Sequence, residues 1–337
     1  MKFLQISLSL AVLVTPAAHA QWEDEWNPWE TGTDFGASAL LAPDSDEEAL
    51  LLVWAGVTTN RILDNGLEIG ASGRLELQKD HPQRAGFSGV PAGFEGTGLA
   101  LQGAFNGLAI GVAPVDSAAR VGIEQAYAYV QGGYGEVRIG RDVGVAARFK
   151  EHAPSVFETL ASGRQSLDPT GMDMVTTRHD LTGPSAKLTY TTPRLIGIRA
   201  GLSFTPEASV RGLDRDADRN LPGAAPLTLT NAVEGAVNVS RLLRSEGIRL
   251  SGALAASTAE VETPAYASAA YDRVSTLSVG AKAEFETIAI GATWLSSDNG
   301  LVAGGDYEAW TAGITKTYRG FLFGGEYGQA EDGNTGL

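Results

Sequence analysis

The sequence contains no cysteine, so neither a disulfide nor a cysteine-based metal site can stabilise its fold. Beyond its N-terminal segment it has no apolar run of about eighteen residues, and it therefore predicts no membrane-spanning helix. Basic residues are the minority among the charged ones. The sequence has 25 Lys and Arg and 40 Asp and Glu, which gives a net charge of −15. That charge would repel phosphate, so we expect no nucleic-acid partner. The 337 residues are enough for one large domain.

The N-terminal segment has the pattern of a secretory signal peptide over residues 1–20. Lys2 supplies the positive charge, Phe3–Val14 the apolar stretch and Ala18–Ala20 the small-residue cleavage site. An N-terminal anchor helix is the alternative, but the apolar stretch is short for a span. The mature chain is expected to begin at Gln21. Residues 21–34 are predicted to be a periplasmic lead-in, although their tryptophans also suit a membrane-interface anchor: Trp22, Trp26 and Trp29.

Alternation of apolar and small or polar residues dominates the rest of the sequence. In Ile196–Phe204 the even-numbered residues are apolar, whereas the odd-numbered ones are Gly, Arg, Gly and Ser. Strands with this period lie between an apolar and a wet environment. Their pairing through short turns, with long polar loops between pairs, predicts an all-β protein: a transmembrane antiparallel β-barrel with a water-filled lumen. A β-sandwich also alternates, but aromatic residues near the strand ends favour the barrel.

The pattern predicts about thirteen strands, the first at Phe35–Leu41. A hairpin follows, Leu51–Ile62 and Leu67–Gln78, around an Asn-Gly turn. Leu99–Val112 is either a further wall hairpin, which would give fifteen strands, or an insertion within a long loop. The remaining predicted strands are Ile123–Val130, Glu136–Asp142, Ser185–Thr191, Ile196–Phe204, Asn231–Ser240, Ile248–Ala255, Thr276–Phe285, Ile288–Leu295, Glu308–Thr317 and Phe321–Tyr327.

The alternation also assigns side chains to the lipid-facing surface of the late strands. A charge at the midplane of that surface would cost roughly 2–4 kcal/mol, and none of the late strands places one there. The predicted lipid-facing residues are Val233, Val237, Val239, Leu277, Val279, Phe285, Ile288, Ile290, Trp294, Trp310 and Ile314.

Three segments resemble the Gram-negative general porin family. Tyr127–Arg141 is similar to the family's strand–turn–strand block, which ends in Gly-Arg. Asp64–Leu67 resembles its first periplasmic turn, and Ala186–Pro193 the strand after its constriction loop. The resemblance extends over residues 35–337 and is of an alphaproteobacterial-like type.

This resemblance implies a sixteen-stranded, homotrimeric pore in the outer membrane, in contact with lipid and lipopolysaccharide. In the family the third external loop folds into the lumen, and here that loop is residues 143–183. Leu99–Val112 then belongs to the preceding loop and is an insertion. Family members end in a strand with a terminal aromatic residue, whereas this sequence ends in the loop-like Glu331–Leu337. We therefore expect a barrel that is incomplete at its C-terminus.

Charged residues on the inner loop and on the lumen side of the wall are the candidate functional residues. In a narrow pore, opposed charges set ion selectivity, and we expect loop acids to lie across from wall bases such as Arg74. Each residue taken alone is also compatible with an ordinary solvated charge. The candidate constriction residues are Arg74, Arg141, Arg148, Glu151, Glu158, Arg164, Asp168, Arg178, Lys187 and Arg199.

A second pattern is a set of carboxylates at every second position in an external loop: Asp214, Asp216 and Asp218. Such spacing suits oxygen ligation of Ca²⁺, although the EF-hand glycine and glutamate are missing, and a solvated acidic loop has the same composition. No other cofactor is expected. His81, His152 and His179 lack metal-ligand spacing, and no Gly-x-Ser-x-Gly motif is present, so we expect no enzyme.

The sequence and the resemblance together favour a water-filled channel for passive diffusion of small hydrophilic solutes and ions. Within transport, the alternative is a substrate-specific channel for sugar, phosphate or organic anions. From another class, a non-conducting barrel could serve as an adhesin or anchor. Small lumen-facing residues favour the conducting forms, since a small closed barrel fills its interior with bulky side chains.

Overall fold

The computed structural model describes residues 29–41, 49–81, 101–108, 119–157, 159, 161, 163, 166–168, 175–213, 215 and 226–336. Within them, thirteen strands form one antiparallel sheet in which each strand pairs with its sequence neighbours. The strands are β1 (Glu30–Leu41), β2 (Ala49–Ile62), β3 (Glu68–Lys79), β4 (Arg120–Gly132), β5 (Gly135–Asp142), β6 (Ser185–Thr191), β7 (Ile198–Ala208), β8 (Thr228–Leu243), β9 (Ile248–Glu262), β10 (Val274–Phe285), β11 (Ile288–Ser297), β12 (Tyr307–Tyr318) and β13 (Phe321–Asp332).

Two strand starts differ from the sequence-based expectation. β1 begins at Glu30, inside the segment expected to be a lead-in, because Glu30–Leu41 pairs along its whole length with β2. Its first residues are polar or small and give no alternation signal. β7 begins at Ile198, because Ile196 lies in the preceding turn with a φ of 52° and is almost fully exposed. The apolar side chain of Ile196 therefore extended the alternating sequence pattern, although this residue lies outside the strand.

The connections differ in length between the two rims of the sheet. On the short-turn rim, β2–β3, β4–β5, β6–β7, β8–β9, β10–β11 and β12–β13 are joined by brief turns. In the first of these turns Gly66 has a φ of 79°, the left-handed conformation that glycine adopts without steric cost. On the long-loop rim, the connection from β5 to β6 holds the helix α1 (Val145–Phe149). Close to the same rim, between β9 and β10, Ser268–Ala270 forms a 3₁₀ turn.

The outward face of the sheet is apolar and exposed. Most of the predicted lipid-facing side chains are among the large apolar residues that remain accessible, and Ile288 and Trp294 are half-buried. So broad an apolar surface on one chain requires an apolar environment. The accessible members of the predicted set are Val233, Val237, Val239, Leu277, Val279, Phe285, Ile290, Trp310 and Ile314.

The thirteen strands leave two edges in the described part of the chain. Among the described residues β1 pairs with β2 alone and β13 with β12 alone, so the sheet does not close within them. β3 pairs directly with β4, and residues 101–108 therefore lie outside the wall. For these residues the predicted insertion is confirmed. The total of sixteen strands stays a prediction. No described helix is both long and apolar enough to cross a membrane.

The core lies on the inward face, towards the long-loop rim of β8–β12. Residues of the segment 101–108 and of the inner loop pack there against inward side chains of the wall. The buried members of this cluster are Ala104, Phe105, Leu181, Ala208, Leu227, Leu229, Ala232, Ala259, Ala267, Tyr271, Val274, Leu295, Tyr307 and Ala309.

Candidate functional site: an inner loop on the lumen face

The first end of the inner loop (residues 143–183) is attached to β7–β9 through α1. Val145 and Phe149 are buried against the wall in a cluster with Ala146, Ala236 and Ala255. The amide of Val145 donates a 2.9 Å hydrogen bond to Ser203 Oγ on β7. This end is therefore held mainly by apolar packing.

After α1 the loop lies directly on β10–β12. Glu151 Oε1 is 3.2 Å from Lys282 Nζ, which is also 3.0 Å from Glu284 Oε1. A Cβ at Gly280 would clash with the main-chain oxygen of Glu151, and one at Gly313 with that of Pro154. The glycines thus let the loop backbone lie against the wall at van der Waals distance.

The loop then reaches the opposite end of the sheet. Thr159 Oγ1 is 3.4 Å from Ser38 Oγ on β1. Leu167 is fully buried in a cluster with Leu40, Leu50 and Leu52. The amide of Asp168 donates to the Asp80 carboxylate just after β3. The inner loop therefore contacts strands at both ends of the thirteen-stranded sheet.

The second end returns along β12 to β9 and is held by polar groups. Thr177 Oγ1 is 3.3 Å from Thr311 Oγ1. The two ring nitrogens of His179 are each 2.7 Å from a serine hydroxyl, Ser278 on β10 and Ser257 on β9. Burial lowers the pKa of His179 to about 4, so this ring is neutral near pH 7.

Asp180 is the charged group at this second end. Its carboxylate is 2.7 Å from Arg178 and 3.5 Å from Arg215. Burial alone would raise the pKa of Asp180, but these two guanidinium groups outweigh it and lower the pKa to about 2. Asp180 is therefore ionised near pH 7.

The segment 101–108 packs beside this second end. Phe105 lies 5.9 Å from the ring of Tyr307, whose hydroxyl donates to the Thr176 main-chain oxygen of the inner loop. Tyr271 donates to the main-chain oxygen of Gln102 at 2.9 Å. Burial raises the pKa of Tyr271 to about 12, so it remains a donor. Two inserted segments therefore share the lumen face.

Arginines gather on the other side of α1, towards the short-turn rim. Arg138 on β5 contacts Glu136 at 2.7 Å and Asp142 at 3.0 Å. Arg148 on α1 contacts Glu136 at 2.9 Å. Arg199 on β7 lies over the Phe149 ring at 5.4 Å from its centroid. With Arg194 they line a cavity of about 400 Å³.

The predicted constriction residues separate into several places. Arg74 lies over Trp54 and 3.9 Å from the wall acids Asp34 and Glu76, and the contact partner of Glu151 is Lys282. Arg148 and Arg199 share the arginine cavity. The main-chain amide of Asp168 attaches the loop to Asp80, whereas Arg178 pairs with Asp180 inside the loop.

Lys187 and Arg141 lie elsewhere. Lys187 is buried and donates to Thr182 and to the Gly183 main chain, within the loop's own second end. Arg141 shares its face of β5 with the exposed Val137 and Ile139, and its Nε donates to the Ile123 main chain at 2.5 Å. Strand alternation therefore places Arg141 on the outward face, away from the constriction.

Several predicted residues lie outside the described part of the chain: Glu158, Arg164 and the possible Ca²⁺ ligands Asp214, Asp216 and Asp218. Arg138, Arg194, His179 and Leu167 were missing from the predicted site. The position of Arg138 on the lumen face, two residues from Glu136, was available from strand alternation. The contacts of His179 and Leu167 depend on how the loop crosses the sheet and carry no local signal.

An apolar outward face and an inner loop with charged residues along the lumen face define a channel of the outer-membrane type. The family model described as Gram-negative porin matches residues 29–336. The chain belongs to this family, and it is an outer-membrane porin channel. No curated protein matches it.

Solved structures with a similar fold are also porins or outer-membrane proteins. OprB of Pseudomonas putida has a TM-score of 0.54 at 10% identity, and the match covers 91% of this chain and 76% of OprB. A structure described as porin has a TM-score of 0.48 at 15% identity over 90% of this chain and 84% of its own. OmpF of Salmonella typhi, in complex with daunomycin, has a TM-score of 0.41 at 13% identity over 89% of each chain. The OprB likeness supports the fold.

Proposed function

We propose that this porin lets small hydrophilic solutes and ions diffuse passively through a water-filled lumen whose narrowest part is the inner loop. The observation that carries the proposal is the path of this loop. It lies on β7–β12, reaches β1 and β3, and returns to β12 and β9. A segment that contacts strands at both ends of the sheet lies within the lumen and reduces its cross-section.

Charges along the loop are proposed to bias the permeating ions. Glu151, Lys282 and Glu284 form a partly accessible row where the loop lies on β10. In a narrow lumen little water screens such charges, so their fields act on a passing ion over several ångströms. Elsewhere Asp180 connects the loop to Arg215, outside the loop.

Assembly and orientation are part of the proposal. The resemblance to general porins supports a homotrimer embedded in outer-membrane lipid and lipopolysaccharide. The short-turn rim then faces the periplasm, and the long-loop rim faces the exterior.

The test is single-channel recording in planar bilayers, with a KCl gradient to read ion selectivity from the reversal potential. We expect ohmic currents that appear in groups of three equal steps. Glu151→Gln should move the reversal potential towards anions, because Lys282 loses one of its two carboxylate partners. Glu246→Gln removes an exposed carboxylate in the β8–β9 turn and is the matched control. A protein that inserts without conducting would contradict the proposal.

A further inference from the structure

The arginine cavity lies between α1 and the short-turn rim. Its charged and amide lining comprises Gln131, Glu136, Arg138, Arg148, Arg194 and Arg199. Its volume of about 400 Å³ is at the lower end of the roughly 300–1,000 Å³ typical of small-molecule sites. Four guanidinium groups thus meet in a space that can hold a small molecule.

The positive charge in this cavity is only partly neutralised. Glu136 and Asp142 pair with Arg138, and Glu136 also pairs with Arg148. Arg194 donates to the Gly197 main chain and to Asn238 Oδ1, both at 2.9 Å. No described carboxylate ion-pairs with it.

Arg199 and Arg148 add hydrogen-bonding capacity for an anion. Arg199 donates to Thr191 Oγ1 at 2.8 Å and to the Thr192 main chain at 3.1 Å, both neutral acceptors. Two carboxylates, Glu136 and Asp142, therefore pair with a cluster of four guanidinium groups. One buried N–H donor, Arg148 Nη1, has no acceptor among the described residues. A buried donor without a partner is unfavourable until an acceptor arrives.

The positions of these arginines are fixed before any ligand binds. The ring of Phe149 supports Arg199, and Phe149 is itself anchored in the apolar cluster of α1. Ion pairs with Glu136 hold Arg138 and Arg148. A guanidinium fork matches the two oxygens of a carboxylate or phosphate. Preorganised forks bind such groups with little ordering cost.

We propose that this cavity is a transient binding site for small polyvalent oxyanions, either phosphate or a small polycarboxylate, on the short-turn side of the inner loop. The inference rests on the proposed channel function, since the anion reaches the cavity through the lumen. Binding delays the anion and adds to the positive potential at this end of the pore. The channel remains one for general diffusion.

The test uses the full-length porin in planar bilayers with symmetric KCl, to which sodium phosphate or sodium citrate is added on both sides. Either anion should reduce the KCl current in a saturable way and thereby give a half-blocking concentration. Arg199→Gln and Arg194→Gln should each raise that concentration about tenfold, equivalent to about 1.4 kcal/mol. Arg194 lies in an exposed turn, so its replacement leaves the fold intact. Comparing the two anions distinguishes the phosphate and polycarboxylate classes.

Arg249→Gln is the matched control. Arg249 is near the same rim on the lumen side of β9, but it lies outside the cavity lining and 3.7 Å from Glu284. Its replacement should leave the half-blocking concentration within about a factor of two. Equal shifts in the Arg194 and Arg249 variants would overturn the inference, because they would indicate a general field effect. Normal KCl conduction with no block by either anion would also overturn it while leaving the channel function intact.

Discussion

The two ends of the inner loop are attached to the same wall by different means. The first end packs Val145 and Phe149 into an apolar cluster. The second end contains His179 between two serine hydroxyls and Asp180 between two arginines. Apolar packing is insensitive to protonation, whereas a buried imidazole is not. The attachment of the first end is therefore mainly apolar and little affected by pH, whereas that of the second end depends on pH.

The largest expected effect comes from weakening the apolar end. Phe149→Ala removes a buried phenyl group, a change that typically costs about 3–5 kcal/mol. It also removes the ring beneath Arg199. We expect a lower unfolding temperature, measured by circular dichroism in detergent. Single-channel currents should also become noisier, because α1 is held less firmly.

Phe204→Ala is the matched control for that change. Phe204 is on β7 close to α1, but it belongs to the outward face and is 43% exposed. Its loss should leave the current noise of the wild type unchanged. Equal current noise in the two variants would show that α1 does not anchor the loop.

A smaller, pH-dependent effect is expected at the polar end. His179 has a folded-state pKa of about 4, below the ordinary 6.5, so the unfolded chain binds a proton more readily between these values. Stability should therefore fall as pH falls from about 6.5 to 4, by on the order of 1–3 kcal/mol, since each pKa unit is about 1.36 kcal/mol. The Asp180 contribution is complete above its ordinary pKa of 3.8 and is lost as pH falls from there towards 2. The measurement is the free energy of unfolding in urea as a function of pH.

Two variants sharpen this prediction. His179→Gln retains an amide that can bond the serine hydroxyls but does not titrate, so the pH slope between 6.5 and 4 should flatten. Thr177→Val breaks the Thr177–Thr311 hydroxyl contact at the same end without changing any titratable group. It should lower stability and leave the slope as it is. A slope that survives in His179→Gln would exclude His179 as its source.

Strand alternation predicted the wall well because each strand's faces are encoded locally. The hairpin of β2 and β3 and the outward valines of β8 follow from period two alone. The start of β1 was missed because Glu30–Asp34 pairs through its backbone and has no apolar pattern.

The site was less predictable, since its contacts join residues far apart in sequence. The resemblance to porins indicated the inner loop, but it did not indicate that Glu151 pairs with Lys282 on β10. It also did not separate Arg141, on the outward face, from Arg138, which lies three residues earlier on the same strand and therefore on the lumen face. The wall strand that a loop residue contacts depends on the tertiary fold as a whole.

The central claim is that the inner loop crosses from β10–β12 to β1, and a designed disulfide tests it most directly. The chain has no cysteine, so Ser38→Cys with Thr159→Cys introduces the only pair. Their hydroxyl oxygens are 3.4 Å apart, which is compatible with a disulfide after minor side-chain adjustment. We predict that the pair oxidises in the folded porin, as judged by mass spectrometry, and that single-channel conductance is unchanged. Free thiols at both positions in the folded protein under oxidising conditions would contradict the account.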